Sequence, residues 1–316
     1  MTTNSAPAID KHSLDYVLKS GFAGGLAGCA AKTLIAPLDR VKILFQTRNP
    51  EFRSYAGHAM GLPRSISKIF QTQGILGLFK GHSVTLLRVF PYAGIKFVAY
   101  EQFRHLLIKN KQDEVPWRRF VAGSLSGITS VFFTYPMDVI RVRLAFDTQS
   151  HTVRHQFSTK IKQIAYSQGS FSLYGFYAGF VPTVLGMIPY AGVSFLAHDL
   201  AQDLFRSSFC ADYAVDFTRV PSRSNLHPLH HWAELSAGGL SGLVAQTAAY
   251  PLEIIRRRMQ VATGPRKTIL ETARQIRAES GLRGFFVGLS IGYIKVVPMF
   301  ACSFYVYERA KYWIGI

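Results

Sequence analysis

Three acid–base pairs at one fixed spacing are the residues of this chain whose types suggest a shared task. Pro37-Leu-Asp39-Arg-Val-Lys42 returns as Pro136-Met-Asp138-Val-Ile-Arg141 and again as Pro251-Leu-Glu253-Ile-Ile-Arg256. The common form is P-x-[DE]-x-x-[KR]. An acid and a base three residues apart share one helix face. A proline deep in a helix removes a hydrogen bond and bends it. With three such helices about one axis, each acid reaches the base of the next: Asp39 to Arg141, Asp138 to Arg256, Glu253 to Lys42. Ionisable groups in apolar helices are costly and turn inward or toward a wet cavity, so such a ring closes a passage at one end.

Other chemistry is thinly represented. Cys29, Cys210 and Cys302 lie far apart with no paired spacing, which supports neither a disulfide framework nor a metal site. No G-x-S-x-G, H-E-x-x-H or nucleotide-loop motif is present, and the histidines have no metal-ligand spacing. Neither an enzyme nor a cofactor or metal is expected.

The elements that must carry the pairs are long and apolar. Phe120 to Met137 and Leu235 to Leu252 hold no charged residue, and Gln163 to Ala197 is free of Asp, Glu, Lys and Arg. Stretches of about 18 or more such residues are candidates for spanning helices. Glycine and serine recur along them, as at Gly123, Ser126 and Gly127 or Gly238, Ser241 and Gly242, which lets helices approach closely in a membrane. Charged residues are only 17% of the chain, yet its formal net charge is +18. That excess points to an anionic partner: a solute, a lipid or a nucleic acid. The first twenty residues lack a signal-type apolar core and include Asp10 and Asp15, so any organelle address is expected to be internal.

Two more elements accompany each motif copy. After the first copy comes Gln73-Gly74, then Phe79-Lys80-Gly81; after the second, Gln168-Gly169, then Tyr177-Ala178-Gly179; after the third, Ser280-Gly281, then Phe286-Val287-Gly288. Tyr100-Glu101-Gln-Phe-Arg104 and Tyr307-Glu308-Arg-Ala-Lys311 close the outer repeats, and the weaker His198-Asp199-Leu-Ala-Gln202 closes the middle one. This three-part pattern, found three times in order from about Leu18 to Trp313, resembles the mitochondrial carrier family.

The resemblance implies an all-α membrane protein with six transmembrane helices in three two-helix repeats of pseudo-threefold symmetry. The spans are expected at 17–46, 80–107, 116–146, 177–205, 230–260 and 286–313, with short amphipathic helices near 59–72, 155–168 and 267–279. The division is a tail at 1–16, repeats at 17–110, 116–205 and 230–316, and a polar connector at 206–229. It further implies an inner-membrane, multi-pass carrier working by alternating access, with both termini toward the intermembrane space. Three repeats complete it as a monomer.

In such a carrier Gln46 and Gln260 brace the matrix ring, a role Ala145 does not match. Glu101, Arg104, Asp199, Gln202, Glu308 and Lys311 form the opposite, cytoplasmic gate, with Gln202 where a base is expected. These departures predict gates of fewer bonds that open easily. Lys32, Arg88, Lys96 and Lys295 are expected to face the cavity, so the substrate is a small anion. Gly186-Met187 matches a pair that lines an adenine slot in the nucleotide-transporting branch, although in an apolar helix such a pair commonly only packs. The helix starts at Lys80-Gly81, Gly179 and Gly288, with Gly74, Gly169 and Gly281, are expected to hold cardiolipin phosphates.

Within the family the stretch Gln246 to Val261 and the long connector resemble carriers of the coenzyme A or Graves' disease type. Coenzyme A therefore stands as the expected substrate, with adenosine 3′,5′-bisphosphate as a relative. Adenine nucleotides (ATP-Mg or ADP) and thiamine pyrophosphate remain alternatives. A basic helical-repeat protein that binds nucleic acid is the rival of another class. It does not account for the regular acid–base pattern, and no nucleic-acid partner is expected.

Overall fold

The computed structural model describes residues 14–58, 60–108, 115–149, 153–166, 172–207, 209–216, 228–264 and 267–315. Among them the chain is helical, and its only strand-like pairing is a bridge between Val215 and Leu229. The long helices are α1 (Leu14–Leu34) with α2 (Ala36–Gln46), α4 (His82–Leu107), α5 (Pro116–Phe146), α7 (Phe180–Arg206), α9 (His231–Val261), and α11 (Leu289–Ile294) with α12 (Val296–Ile314). Shorter α3 (Gly61–Leu78), α6 (Val153–Ala165) and α10 (Ile269–Ser280) follow the motif helices, and α8 (Ala211–Ala214) is a single turn.

Leu173–Arg206 and Leu282–Ile314 are long and apolar enough to cross a membrane, as is the bent pair Lys19–Leu34 with Ala36–Gln46. Among the described residues, composition alone thus picks out fewer than the six spans expected. In α5 and α9 glycine, serine and threonine dilute the apolar average, and α4 carries Arg88, Lys96, Glu101 and Arg104.

Prolines act unequally. Before Pro37 the helix breaks at Ile35 and α2 leaves α1 at 60°. Pro136 and Pro251 sit inside continuous α5 and α9. The last span is interrupted at Lys295, three residues before Pro298.

The chain forms two compact units. One comprises residues 1–178, 260–265 and 290–316; the other comprises 179–259 and 266–289. In the first, α4 packs along α5 and α1 along α12. Gly25 leaves room for the Phe90 ring of α4 against α1. Ser130 of α5 donates to the Tyr92 carbonyl of α4 at 2.7 Å. The Ser20 and Tyr307 hydroxyls meet at 3.1 Å between α1 and α12. In the second unit, Tyr250, Ile254 and Ile255 of α9 form a core with Ile276 of α10. Thr268 and Glu271 close a capping box at the start of α10.

α4 and α7 begin two and three residues later than expected, because Gly81 and Gly179 end the preceding turns in the left-handed region, at φ 81° and 79°. Gly288 has the same geometry at φ 81°. At Gly81 a Cβ would also lie 2.7 Å from the Arg141 carbonyl oxygen. Gly81→Ala is therefore expected to destabilise the protein by about 2–4 kcal/mol, combining backbone strain with a clash against main chain. The measurement is thermal unfolding in detergent, with an unchanged midpoint as the contrary result.

The 206–229 connector is less loop-like at its described ends than its composition suggests. Ala214, Val215, Leu229 and Ala233 form a small buried core there.

Candidate functional site

Asp39 sits in the first turn of α2 and is 8% exposed. Two bases hold it. Arg141 Nη2 of α5 donates to Oδ2 at 3.0 Å, and Lys295 Nζ, at the α11–α12 break, donates to Oδ1 at 2.8 Å. The break that bends α1 from α2 thus places a carboxylate between a motif base and a base expected to bind substrate.

Asp138 is 1% exposed. Arg88 Nη1 of α4 donates to Oδ1 at 3.1 Å, and Gln260 Nε2 to Oδ2 at 2.9 Å. Arg88 also donates from Nε to the Thr134 hydroxyl at 3.2 Å, and its guanidinium lies 5.3 Å from the Tyr92 ring centroid. A planar, always charged guanidinium suits this three-sided setting better than an ammonium. The Gln260 amide also donates to the Tyr135 hydroxyl at 3.2 Å.

The other expected bases are placed differently. Lys32 Nζ lies 3.8 Å from the Met299 sulfur, a weak acceptor. With Asp39, Lys80, His82 and Arg141 it lines a small cavity beside the motif. Lys96, eight residues beyond Arg88 on α4, is exposed. Lys42 and Gln46 are buried on α2.

In the second unit Glu253 and Arg256 are half-buried on α9, and Gly186 abuts Leu252, whose Cβ would lie 3.6 Å from a Cβ at 186. Met187 is half-buried beside it.

At the other helix ends, several charged and polar side chains meet a neighbour on their own helix. Glu308 and Lys311 are 3.9 Å apart, with the Glu308 side chain 69% exposed. The Gln202 amide nitrogen meets His198 Nε2 at 2.9 Å, and Gln202 Oε1 accepts from Arg206 at 3.0 Å. Asp199 is exposed, whereas Glu101 is half-buried. Arg104 lies one turn further along α4.

Of the glycines expected at lipid sites, Gly74, Gly81, Gly179, Gly281 and Gly288 all have positive φ, while Gly169 lies outside the described residues. Lys80 Nζ donates to the Gln149 carbonyl at 2.6 Å.

Three features escaped the pattern reading. Arg40, next to Asp39, is 2% exposed and donates to Gln73 Oε1 at 2.7 Å, the Asp147 carbonyl at 3.1 Å and the Ala145 carbonyl at 3.4 Å. It ties the first repeat to the end of α5. Burial pushes the Asp147 carboxyl up, but Lys160 at 2.8 Å and the Gln149 N–H hold it below its ordinary value. The third feature is a pair of tyrosines, each directly before a motif proline. Tyr135 donates to the Ala178 carbonyl and Tyr250 to the Val287 carbonyl, both at 3.0 Å. Each ring stacks on the aromatic of the following helix start, Tyr177 or Phe286. Ala36 holds the matching place in the first repeat. The signal was legible: two of the motif prolines follow Tyr and the third follows Ala.

Buried carboxylates held by bases, in a helical chain with two helices and one bent helix pair long and apolar enough to cross a membrane, fit a helical membrane carrier. The comparison with known proteins is specific: the family described as Mitochondrial carrier protein matches residues 14–111, 112–209 and 227–315. This chain belongs to the mitochondrial carrier family, whose members carry small solutes, and it is a multi-pass protein of the mitochondrial inner membrane. It is 52% identical to Mitochondrial carrier protein LEU5 of Saccharomyces cerevisiae, over 99% of this chain and 95% of that protein. It is 37% identical to human Solute carrier family 25 member 16, over 94% and 88%. It is 34% identical to Mitochondrial carrier protein CoAc2 of Zea mays, over 94% and 87%.

Proposed function

We propose that this carrier moves coenzyme A, or a close relative such as adenosine 3′,5′-bisphosphate, by alternating access, without enzymatic chemistry. The observation that carries the reading is the placing of Lys295 and Arg88. Both are bases suited to phosphate, and both rest on the buried carboxylates Asp39 and Asp138. A multiply charged anion that engages them takes them from those acids. Binding then loosens the contacts that hold the motif end shut, so the end opens only when the anion is present. Glu308 and Asp199, both exposed, belong to the opposite gate.

Lys32 and Lys96 add charge along the path, and Gly186 with Met187 receives the adenine. Asp39, Lys42, Asp138, Arg141, Glu253 and Arg256, with Gln46 and Gln260, make up the matrix gate. Glu101, Arg104, Asp199, Gln202, Glu308 and Lys311 make up the cytoplasmic gate. Cardiolipin is held at the glycine-capped helix starts, once Lys80 turns from the Gln149 carbonyl to a phosphate. The carrier works as a monomer with both termini in the intermembrane space, and nucleic acid is not a partner. The name of the maize relative, CoAc2, is in keeping with the substrate.

The test is uptake of labelled coenzyme A by liposomes holding the purified protein, with ATP and thiamine pyrophosphate run alongside. Saturable coenzyme A uptake is expected. Uptake of ATP or thiamine pyrophosphate without coenzyme A overturns the substrate and leaves the carrier.

A further inference from the structure

The segment after α7 folds back on itself in a way that transport does not require. Ala214 and Val215 pair with the chain at Leu229, through His230 N–H to the Ala214 carbonyl at 2.8 Å and Asp216 N–H to the Pro228 carbonyl at 2.9 Å. Buried Ala214, Val215, Leu229 and Ala233 fix this fold, with Phe205 and Cys210 against them. The Phe205 ring meets Trp232 edge-on at 5.8 Å, so the end of α7 is joined to the start of α9.

A fold held this firmly nevertheless turns its largest side chains outward. Phe209 is 93% exposed and Tyr213 79%. They follow directly on the last turns of α7, where Leu200 and Leu204 are 59% and 60% exposed. Trp232, which meets Phe205 of α7, and Leu235 are also exposed at the start of α9. One exposed acid, Asp212, lies within this segment beside Tyr213, as suits the headgroup level, and Asp216 follows it.

A lone exposed leucine needs no explanation, but a cluster of aromatics on an ordered turn does. The helix it follows is a membrane-spanning element, and rings with an apolar body and a polar tip favour the headgroup level of a bilayer. We infer that residues 209–213 form an interfacial anchor, with Phe209 and Tyr213 seated in the headgroup and upper acyl region of the leaflet where α7 ends. The partner is phospholipid, not another protein. The anchor fixes the depth of α7 and α9 and keeps the connector against the membrane.

The experiment places photoreactive benzoylphenylalanine at 209, and separately at 213, in the full-length carrier in phosphatidylcholine–cardiolipin vesicles. The exposed positions tolerate the larger ring, and coenzyme A uptake checks that each variant is folded. After irradiation, the intact protein is expected to gain the mass of one phospholipid at either site. Cross-linking to a second copy of the chain, cross-linking within the chain, or no lipid adduct overturns the anchor. A second arm uses Phe209→Asp, expected to lower the Tm in vesicles but not in detergent. An equal loss in both media contradicts a lipid contact.

Discussion

Asp39→Asn is expected to lower the stability of the carrier by about 2–4 kcal/mol, because it leaves two cations facing each other without their shared anion. Lys295 and Arg141 approach its two oxygens at 2.8 and 3.0 Å, and all three side chains are less than one-fifth exposed. Removing one member of a buried set costs more than a surface pair is worth, since the partners stay desolvated. Lys295→Met should cost less, as Arg141 remains to neutralise Asp39. The double variant should recover part of the loss, with a coupling of at least about 1 kcal/mol between the sites. Thermal unfolding of the four proteins measures this cycle. Additive losses would show that Lys295 and Asp39 do not share energy, and the gating proposal would lose its support.

Arg88→Ala is expected to reduce coenzyme A uptake by about a hundredfold, comparable to the loss of a charge-assisted phosphate contact in a desolvated site. Arg88→Lys should recover little, since an ammonium cannot serve Asp138, Thr134 and the Tyr92 face together. Stability and transport must be separated here, because Asp138 is buried and loses a cation in the variant. Adding Asp138→Asn removes that stranded charge. The double variant should regain much of the thermal stability while its uptake stays low. Recovery of uptake together with stability would reduce Arg88 to a structural role.

The residues differ in how far their places could be read in advance. The Asp39–Arg141 contact follows from helix spacing and threefold repetition alone, and both conditions are local or periodic. The partnership of Lys295 with Asp39 and of Arg88 with Asp138 does not. A pattern reading sets cavity bases and gate acids at separate depths, yet lysine and arginine side chains reach across a helical turn of about 5.4 Å. Arg40 illustrates the same limit. Nothing in P-x-[DE]-x-x-[KR] tells an inward base from one buried against the end of a neighbouring helix. The helix order was legible because long uncharged segments and left-handed glycines mark it. The break at Lys295 was not, because Pro298 alone does not say which side will yield.

The tyrosines before Pro136 and Pro251 have a consequence for how the molecule deforms. Each ties a proline-containing helix to the carbonyl of the next helix start, and both helices remain continuous. Where alanine stands before Pro37, no such strut exists and the helix has parted at 60°. Threefold symmetry of plan therefore does not bring threefold symmetry of stiffness. The unbraced, broken motif helix lies in the first repeat, beside the carboxylate that holds two cations. On the gating proposed above, release of Asp39 would act first at this unbraced joint.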